Sequence, residues 1–248
     1  MSNLLMGKRA FITGANRGIG KVIAETFASN GANLTLCARK ETKEFILFSK
    51  ELTRKYDVSI ALIYFDLSNE VEIKEVLNKY LLKNKGIDIL INNAGIAHGG
   101  FFNMTSIHKI KEVFEVNFFS QLIVTQLISR VMIRNKKGSI INISSVAGID
   151  ALPGYIAYGS SKSALIFATR SISKELASYG IRVNALAPGL TDTEMAKEME
   201  FKAKDHLISA SSMARMATPQ EIADSALFLA SDLSHFINGQ ILRVDGGM

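Results

Sequence analysis

Short apolar runs rich in β-branched residues alternate along the chain with longer amphipathic stretches. A strand buried on both faces of a sheet has the first pattern, and a helix that covers such a sheet has the second. The apolar runs predict seven strands, near residues 9–13, 33–37, 59–65, 87–91, 139–144, 182–187 and 241–244. The amphipathic stretches predict helices, including 18–29, 68–83, 106–133, 160–178 and 219–230. This alternation predicts an α/β fold, a doubly wound, seven-stranded parallel sheet with helices on both faces.

No linker, repeat or low-complexity segment interrupts the alternation, so we expect a single domain over residues 1–248. The least regular region, about 190–218, is rich in Met, Ala, Ser and charged residues. It follows the end of a predicted strand, where open α/β sheets bind ligands. We therefore expect a substrate lid there.

The N-terminal residues predict a cytoplasmic protein. Residues 1–10 already contain Lys8 and Arg9 and have no apolar stretch of the length that a signal peptide needs. The apolar runs at 60–65 and 87–91 are too short to span a bilayer, so we expect no membrane partner. The only cysteine, Cys37, lies in an apolar run and is expected to be a buried, inert thiol.

The charge pattern also excludes some partners. A net charge of +6 fits an anionic partner, but a mildly basic enzyme with solvated surface lysines gives the same value, and we favour that interpretation. The basic residues are dispersed and not interleaved with aromatic residues, which argues against nucleic-acid binding. The four histidines are widely separated and lack the spacing of a metal site, so no metal is expected.

The connection between the first predicted strand and helix is rich in glycine and reads Thr13-Gly14-Ala15-Asn16-Arg17-Gly18-Ile19-Gly20. Glycines let backbone N–H groups approach a pyrophosphate, and the following helix offers unpaired N–H groups and the positive end of its dipole. An ordinary strand-to-helix connection would have a similar composition, but the position at the first βα turn favours a nucleotide. We predict a Rossmann-type dinucleotide site.

The end of the second predicted strand bears on the choice of cofactor. Sites that prefer NAD place an acidic residue there, whereas the 2′-phosphate of NADP needs cations. This chain has Cys37-Ala38-Arg39-Lys40 at that point. Arg39, together with Arg17 of the glycine-rich turn, would bind the phosphate through charge-assisted hydrogen bonds, which favours NADP(H). The alternative is that both arginines are only solvated.

Tyr158 precedes Lys162 by four residues, which places both side chains on one face of a helix. A free tyrosine titrates near pH ~10, so a nearby cation is needed to make its phenolate accessible at neutral pH. Composition alone predicts roughly half a Tyr-x-x-x-Lys match, so the pair needs support. Ser145 supplies it, because it follows an apolar strand that opens onto the same crevice, and its hydroxyl would donate to a substrate carbonyl. Ser144 is the competing candidate.

Two other polar residues stand out. Asn117 lies in the hydrophobic helical stretch 113–124, where a buried amide needs hydrogen-bond partners and would bridge a helix to a strand. Asp66 directly follows the third predicted strand and, taken alone, predicts a cap for a helix that starts near Ser68.

These motifs together resemble the short-chain dehydrogenase/reductase family over nearly the whole chain. The glycine spacing Thr-Gly-x-x-x-Gly-x-Gly is that of the family, as is Tyr158-x-x-x-Lys162. The other matching positions are Asn92-Asn93-Ala94-Gly95, Asn117, Ser145, Pro188-Gly189 with Thr193, and Asp245-Gly246-Gly247. The family pattern places the catalytic serine directly before Val146-Ala147-Gly148, which favours Ser145 over Ser144.

The resemblance implies roles for individual residues. The implied catalytic residues are Asn117, Ser145, Tyr158 and Lys162, with Ser145 and Tyr158 also touching the substrate. Lys162 would hold the nicotinamide ribose, Asn117 a water in a proton relay, and Asp66 the adenine amino group. The implied cofactor residues are Gly14, Asn16, Arg17, Gly18, Ile19, Gly20, Arg39, Asp66, Leu67, Asn93, Ala94, Gly95, Tyr158, Lys162, Pro188, Gly189, Leu190, Thr191 and Thr193. The family also implies a homotetramer that packs through the helices around 114–134 and 160–178.

The whole-chain pattern is most similar to 3-oxoacyl-[acyl-carrier-protein] reductases, which implies a carbonyl substrate on acyl-carrier protein or CoA. The two basic positions at which such enzymes dock the carrier align with Lys136 and Tyr179, of which only the first is basic. His98-Gly99-Gly100 also departs from the fatty-acid enzymes. We expect an apolar pocket wall that suits an acyl chain, formed by Ala147, Ile149, Leu152, Leu190 and Met195.

Three alternatives stay open. In the first, the substrate is another small ketone or alcohol, such as a sugar, steroid or xenobiotic. A nucleotide-sugar epimerase or dehydratase shares Tyr-x-x-x-Lys, but normally has a different glycine spacing and an added substrate domain. A non-catalytic NADPH sensor would more often lack one of Ser145, Tyr158 and Lys162.

Overall fold

The computed structural model describes residues 3–197, 199 and 201–248, and in this part of the chain seven strands form one parallel sheet. The strands are β1 (Arg9–Thr13), β2 (Asn33–Ala38), β3 (Ile60–Tyr64), β4 (Ile89–Asn92), β5 (Gly138–Ile143), β6 (Ile181–Pro188) and β7 (Ile241–Val244). Their order is β3-β2-β1-β4-β5-β6-β7, and each neighbouring pair is parallel. The predicted sheet is confirmed. The order reverses between β1 and β4, which opens a crevice at the carboxyl ends of these strands.

Helices cover both faces of the sheet. They are α1 (Gly18–Ser29), α2 (Lys43–Tyr56), α3 (Glu70–Lys83), α4 (Ile107–Phe114), α5 (Ser120–Asn135), α6 (Ile156–Leu176), α7 (Glu194–Lys197), α8 (Phe201–Ala210) and α9 (Pro219–Ala230). The predicted ends of α1 and α9 are confirmed to the residue. α9 begins at a capping box between Thr218 and Glu221, with Pro219 in its first turn, which explains why its start was readable in the sequence.

The largest differences from the prediction concern α2, α4, α5 and α6. The stretch predicted at 106–133 is divided into α4 and α5 by a π-helical segment, Glu115–Phe119. α6 begins at Ile156 rather than near residue 160. α2 was not among the named predictions, although the Thr42 side chain caps it and Phe45 and Leu52 form its buried face.

The two faces of the sheet bury separate cores, because successive residues of a strand point to opposite sides. Ile12 of β1 packs with Phe27 of α1 and Leu229 of α9 on one face. Phe11, the preceding residue, packs with Leu77 of α3 and others on the second face, beneath α3 and α5. Burial of each such side chain stabilises the fold by about 1.5–3 kcal/mol relative to exposure.

One helical stretch, 107–135, is long and apolar enough to cross a membrane by length and composition, and 56% of its most apolar window is buried inside the protein. The core helix of a soluble protein passes the same test. Cys37 is buried in β2, as expected, and burial raises the pKa of its thiol.

The region 190–218 is more ordered than the sequence indicated. It contains the short helices α7 and α8. Its two ends pair side by side, since Ala217 N donates to Leu190 O at 2.9 Å and Asp192 N donates to Ala217 O at 2.9 Å. This pairing closes the base of the region where the chain leaves β6.

Candidate active site

The glycine-rich turn lies at the carboxyl end of β1, beside the crevice. Gly14 and Gly18 have φ angles of +64° and +53°, which favour glycine. A Cβ atom at Gly20 would lie 2.3 Å from Gly14 O, so only glycine permits this close approach. No side chain among the described residues caps α1, whose N-cap is Arg17. Backbone N–H groups at this helix start are therefore available to an anion.

Thr13 and Asn93 hold the turn against the end of β4. The Asn93 side chain donates to Thr13 O at 2.9 Å and to Gly14 O at 3.1 Å. In return, Thr13 Oγ1 accepts from the backbone N–H groups of Asn93 and Ala94, at 3.0 and 3.1 Å. Asn93 thus has a clear structural role. Thr13 was part of the quoted motif but was not predicted as a site residue.

A cationic surface lies at the outer end of the crevice. Arg17 and the neighbouring Arg39 and Lys40 are exposed, and Asn16 beside them is exposed as well. Within the described ranges, neither Arg17 nor Arg39 forms a salt bridge with a carboxylate. Their guanidinium groups are therefore available to a phosphate.

Asp66 lies within electrostatic reach of this surface. Partial burial opposes ionisation of Asp66, but hydrogen bonds from Ser68 and the charges of Arg39 and Lys40 hold its pKa below the usual value. Its Oδ1 accepts from the backbone N and the Oγ of Ser68, at 2.9 and 2.8 Å. The prediction that Asp66 caps the next helix is wrong. α3 starts at Glu70 and is capped by Asn69, whose side chain accepts from the Glu72 N–H, while the Asp66 side chain accepts from Ser68 instead.

Leu67 and Ile19 differ from the polar residues of the predicted set. Both are half-buried, and each side chain packs against one of the two cores, Ile19 on the α1 side and Leu67 on the α3 side. Because the side chains of Ile19 and Leu67 pack against the cores, their backbone groups are the parts suited to contact a cofactor.

The chain that leaves β6 passes close to the glycine-rich turn. Pro188 ends β6, Gly189 N donates to Val244 O at 3.0 Å, and Leu190 begins the paired stem. Thr191 Oγ1 donates to Gly189 O at 3.1 Å. The Thr193 side chain lies 3.6 Å from where a Cβ atom of Gly18 would be. These predicted residues therefore border the same crevice from the opposite side.

Tyr158 and Lys162 lie one turn apart in α6. The early start of this helix at Ile156 puts Tyr158 inside its first turn. Lys162 Nζ lies 5.8 Å from the centre of the Tyr158 ring and donates to Ile143 O at 2.8 Å. Burial lowers the pKa of Lys162 to about 8. Burial also raises the pKa of Tyr158, while a hydrogen bond with the Ser145 hydroxyl lowers it.

The structure distinguishes the two candidate serines. The buried Ser144 hydroxyl donates to Lys162 O at 3.0 Å and so links β5 to α6. Ser145 lies at the start of a 3₁₀ turn, Val146–Gly148, where its Oγ accepts from Ala147 N at 3.2 Å and contacts Tyr158. A Cβ atom at Gly148 would lie 2.8 Å from the Lys162 backbone, so glycine lets this turn pack directly on α6.

Asn117 is fully buried in the π-helical segment between α4 and α5. Its Oδ1 accepts from Ile96 N at 2.8 Å, and its Nδ2 donates to Ile96 O at 2.9 Å and to Ser161 Oγ at 3.0 Å. Gly95 lies against Asn117 and Lys162, so the asparagine is adjacent to the buried ammonium. The expected bridge thus connects α4–α5 to the chain after β4 and to α6.

Two residues near Asn117 were missed by the sequence analysis. Ser161 accepts from Asn117 and donates to Tyr158 O at 2.7 Å, which links the asparagine to α6. The buried Gln121 donates to Ala94 O at 2.9 Å. Its polar side chain, four residues after Asn117 in an apolar helix, was the available signal.

Metal ligands do not converge in the part of the chain that the structure describes, where no three His, Cys, Asp or Glu residues form a candidate ion site. His98 lies in the loop after β4, near Thr105, and is half-buried.

A doubly wound sheet with a glycine-rich turn, an uncapped helix and a Tyr-Lys pair with a buried ammonium at the carboxyl ends of its strands defines a dinucleotide-dependent oxidoreductase that acts on alcohol and carbonyl groups. Residues 14–248 match a family model described as enoyl-(acyl carrier protein) reductase. The chain belongs to this family, a branch of the short-chain dehydrogenases/reductases.

Several proteins are similar over their full length. The 3-oxoacyl-[acyl-carrier-protein] reductase FabG of Chlamydia muridarum is 36% identical over 248 residues, which is 100% of both chains. The enzyme of the same name from Aquifex aeolicus is 36% identical over 98% of both chains. A solved structure of a putative NAD(P)-dependent gluconate 5-dehydrogenase from Beutenbergia cavernae, with bound NADP, is 29% identical, has a TM-score of 0.92 and covers 99% of this chain and 98% of its own.

Proposed function

We propose that this protein uses NADPH to reduce the ketone of a 3-oxoacyl thioester, carried on acyl-carrier protein or CoA, to a secondary alcohol. The observation that carries the proposal is the convergence of Ser145, Tyr158 and Lys162 at the carboxyl end of β5 and the start of α6. The names of the full-length relatives support the choice of a 3-oxoacyl substrate.

The cofactor fits the residues that surround the crevice. The uncapped start of α1 suits a pyrophosphate, and the exposed Arg17 and Arg39 suit a 2′-phosphate. Lys162, Asn93, Ala94 and Gly95 would surround the nicotinamide ribose. NADPH, when bound, supplies the hydride for the carbonyl carbon.

The protein's own groups handle the proton and the charge at the carbonyl oxygen. Ser145 Oγ donates a hydrogen bond to that oxygen and stabilises the negative charge that develops on it. Tyr158 donates its phenolic proton to the same oxygen, so the product is an alcohol and the tyrosine is left as a phenolate. The nearby Lys162 ammonium stabilises this phenolate. Asn117 and Ser161 hold the start of α6 in place and begin a route by which the proton is replaced.

A second candidate substrate is the keto group of a sugar acid. The solved structure with a TM-score of 0.92 belongs to a putative gluconate 5-dehydrogenase, which supports this alternative. The exposed apolar side chains Ile149 and Met195 support an acyl chain instead.

The substrate lid and the carrier surface are further parts of the proposal. The two ends of the region 190–218 pair with each other just after β6, which suits a lid that closes over the crevice. Equal hydrogen exchange there with and without NADPH would count against a lid. Lys136 at the end of α5, together with Arg130 and Arg134, would contact an acidic carrier protein.

We also propose a cytoplasmic homotetramer without a membrane or nucleic-acid partner. Phe119, the last residue of the π-helical segment before α5, and Phe167 of α6 are 48% and 73% exposed. Large exposed aromatic side chains on two long helices are typical of a protein–protein interface. A scattering mass of one subunit would contradict the tetramer.

A single assay separates the candidate functions. NADPH consumption is followed with acetoacetyl-CoA, a 3-oxoacyl carrier-protein thioester, a keto-sugar acid and small ketones. We expect the highest kcat/KM with the 3-oxoacyl thioesters. A preference for the keto-sugar acid would replace the substrate assignment, and inactivity with the whole panel would favour a non-catalytic NADPH-binding protein.

Arg39→Asp is expected to lower NADPH affinity far more than NADH affinity. Loss of charge-assisted hydrogen bonds should weaken NADPH binding by about 10–100-fold, because such bonds contribute roughly 1.5–3 kcal/mol. NADH lacks the 2′-phosphate, so its affinity should change little. Fluorescence titration of both cofactors measures the effect, and Arg54→Asp on α2 is a control with the same change in charge. Equal losses for the two cofactors would refute the assignment.

A further inference from the structure

Arg243 of β7 connects three segments of the chain through one guanidinium group. Its Nε donates to Asp245 Oδ2 at 2.6 Å. Its Nη2 forms an ion pair with Asp150 Oδ2 at 2.9 Å and donates to Met248 O at 2.7 Å. The sequence analysis assigned no role to Arg243 or Asp150.

Asp150 closes the turn that presents Ser145. The backbone N–H groups of Ile149 and Asp150 both donate to Val146 O at 2.8 Å, and Gly148 N donates to Ser145 O at 3.0 Å. These short hydrogen bonds make residues 145–150 one compact unit, the serine turn. Asp150 lies only five residues after Ser145 in this unit, so a shift of Asp150 also displaces Ser145.

The other side of the network holds the end of the proposed lid. Gly246 O accepts from Ser211 Oγ at 3.0 Å and from Met213 N at 3.1 Å. Gly247 O accepts from Ser212 Oγ at 2.9 Å. A cavity of about 350 Å³ lies at this point, and its walls include Arg243, Met213 and Leu190.

The Asp150 contact differs from the other two contacts of Arg243. Asp245 and Met248 follow Arg243 by two and five residues, so those hydrogen bonds organise only the chain after β7. Asp150 comes from a different part of the fold, and its side chain is 53% exposed. Since an exposed carboxylate is already well solvated, the fold does not need the ion pair to satisfy it.

We propose that Arg243 and Asp150 are positioning residues that hold the serine turn and the lid end in register around the carbonyl substrate. This inference rests on the proposed function of the site. The ion pair sets the position of Ser145, whose hydrogen bond strengthens as charge develops on the carbonyl oxygen, so its loss acts mainly on kcat.

Asp150→Asn tests the link with almost no change in shape. We expect kcat for the carbonyl substrate to fall about fivefold, the most that one part-exposed ion pair supports. We expect KM to change less than kcat, while NADPH affinity and the melting temperature stay unchanged. Asp150→Glu should restore most of kcat, and Asp150→Asn should add nothing in an Arg243→Gln background. Lys55→Gln, which removes the Lys55–Glu25 pair on α2 and α1, is the control.

Two kinetic results would overturn the proposal: an unchanged kcat in Asp150→Asn, or the same decrease in kcat when Arg243 is already Gln. Hydrogen exchange gives a readout that does not need activity. Asp150→Asn should accelerate exchange at 146–152 while exchange at 55–60 stays unchanged, and equal protection at 146–152 would also overturn it. Absence of any wild-type reductase activity, in contrast, would refute the proposed function while exchange still reports on the link.

Discussion

Replacement of Tyr158 by Phe is expected to abolish ketone reduction while NADPH still binds. The variant lacks only the hydroxyl that donates the proton to the carbonyl oxygen, and general acid catalysis of this kind contributes about 10²–10⁴-fold. The ring and its packing beside Lys162 are retained. Single-turnover reduction of a 3-oxoacyl thioester, together with an NADPH titration, measures both effects.

Tyr155→Phe is the matched control for this experiment. Its ring lies 6.5 Å from the Tyr158 ring in an edge-to-face arrangement, so the two substitutions disturb the same local packing. We expect Tyr155→Phe to retain reduction within a few fold. Turnover in Tyr158→Phe that equals the control would overturn the proposed mechanism.

Lys162→Met is expected to damage both reduction and NADPH binding without loss of stability. The methionine side chain fills the space of the buried lysine stem but removes the ammonium that would hold the ribose and stabilise the Tyr158 phenolate. Lys162 is only 4% exposed, and burial of its charge has a cost, as its pKa of about 8 indicates. We therefore expect a melting temperature equal to or higher than that of the wild type, and a reduction rate lower by at least about 10²-fold.

The pH dependence gives an independent test of Lys162. Reduction needs the ammonium form, which predominates below the pKa of about 8. Wild-type kcat/KM should therefore be constant at lower pH and fall as the pH rises through about 8, because the charge that stabilises the phenolate is lost. Lys162→Met should lack this step. Lys174→Met, an exposed position on the same helix, should keep both the activity and the pH profile.

The free energy of unfolding should change with pH in the opposite direction to kcat/KM. The folded-state pKa of Lys162, about 8, is below the ordinary value of 10.5, so the unfolded chain binds more protons between these values. The free energy of unfolding of the wild type should therefore increase with pH over this window, relative to Lys162→Met. If the difference in the free energy of unfolding between the wild type and Lys162→Met is constant from pH 8 to 10, burial does not lower the pKa of Lys162.

The secondary structure could be predicted where local signals agreed with the fold. β1 and β7 were predicted to the residue because their apolar runs end at turn residues. α1 and α9 were equally accurate, since a glycine-rich turn and a capping box mark their starts. The α6 start was predicted about four residues late. The first turn of α6 packs against the turn Val146–Gly148, where Gly159 approaches Ala147 O too closely for any side chain. This contact is tertiary, so the local sequence does not signal it.

The candidate site, like the secondary structure, could be predicted from the sequence only in part. The predicted residues Ser145, Tyr158, Lys162 and Asn117 lie together at one crevice, although their separation along the chain reaches 45 positions. The interpretation of Asp66 as a helix cap failed because the next residues offer a better-placed cap, Asn69. Choice between Ser144 and Ser145 from residues alone was open, and the contact of Ser144 with Lys162 O depends on how α6 packs against β5.

By itself, the sequence determined the strand–helix alternation, the phosphate-binding turn and the residue types available for proton transfer, since each depends on the spacing of near neighbours. The tertiary structure alone decided which backbone oxygen binds the Lys162 ammonium, how Gln121 and Ser161 join the site, and that Arg243 meets Asp150. Residues 93 positions apart meet only because parallel strands bring all their carboxyl ends to one edge of the sheet. Periodicity predicts which residues belong to an element, but packing determines which elements meet.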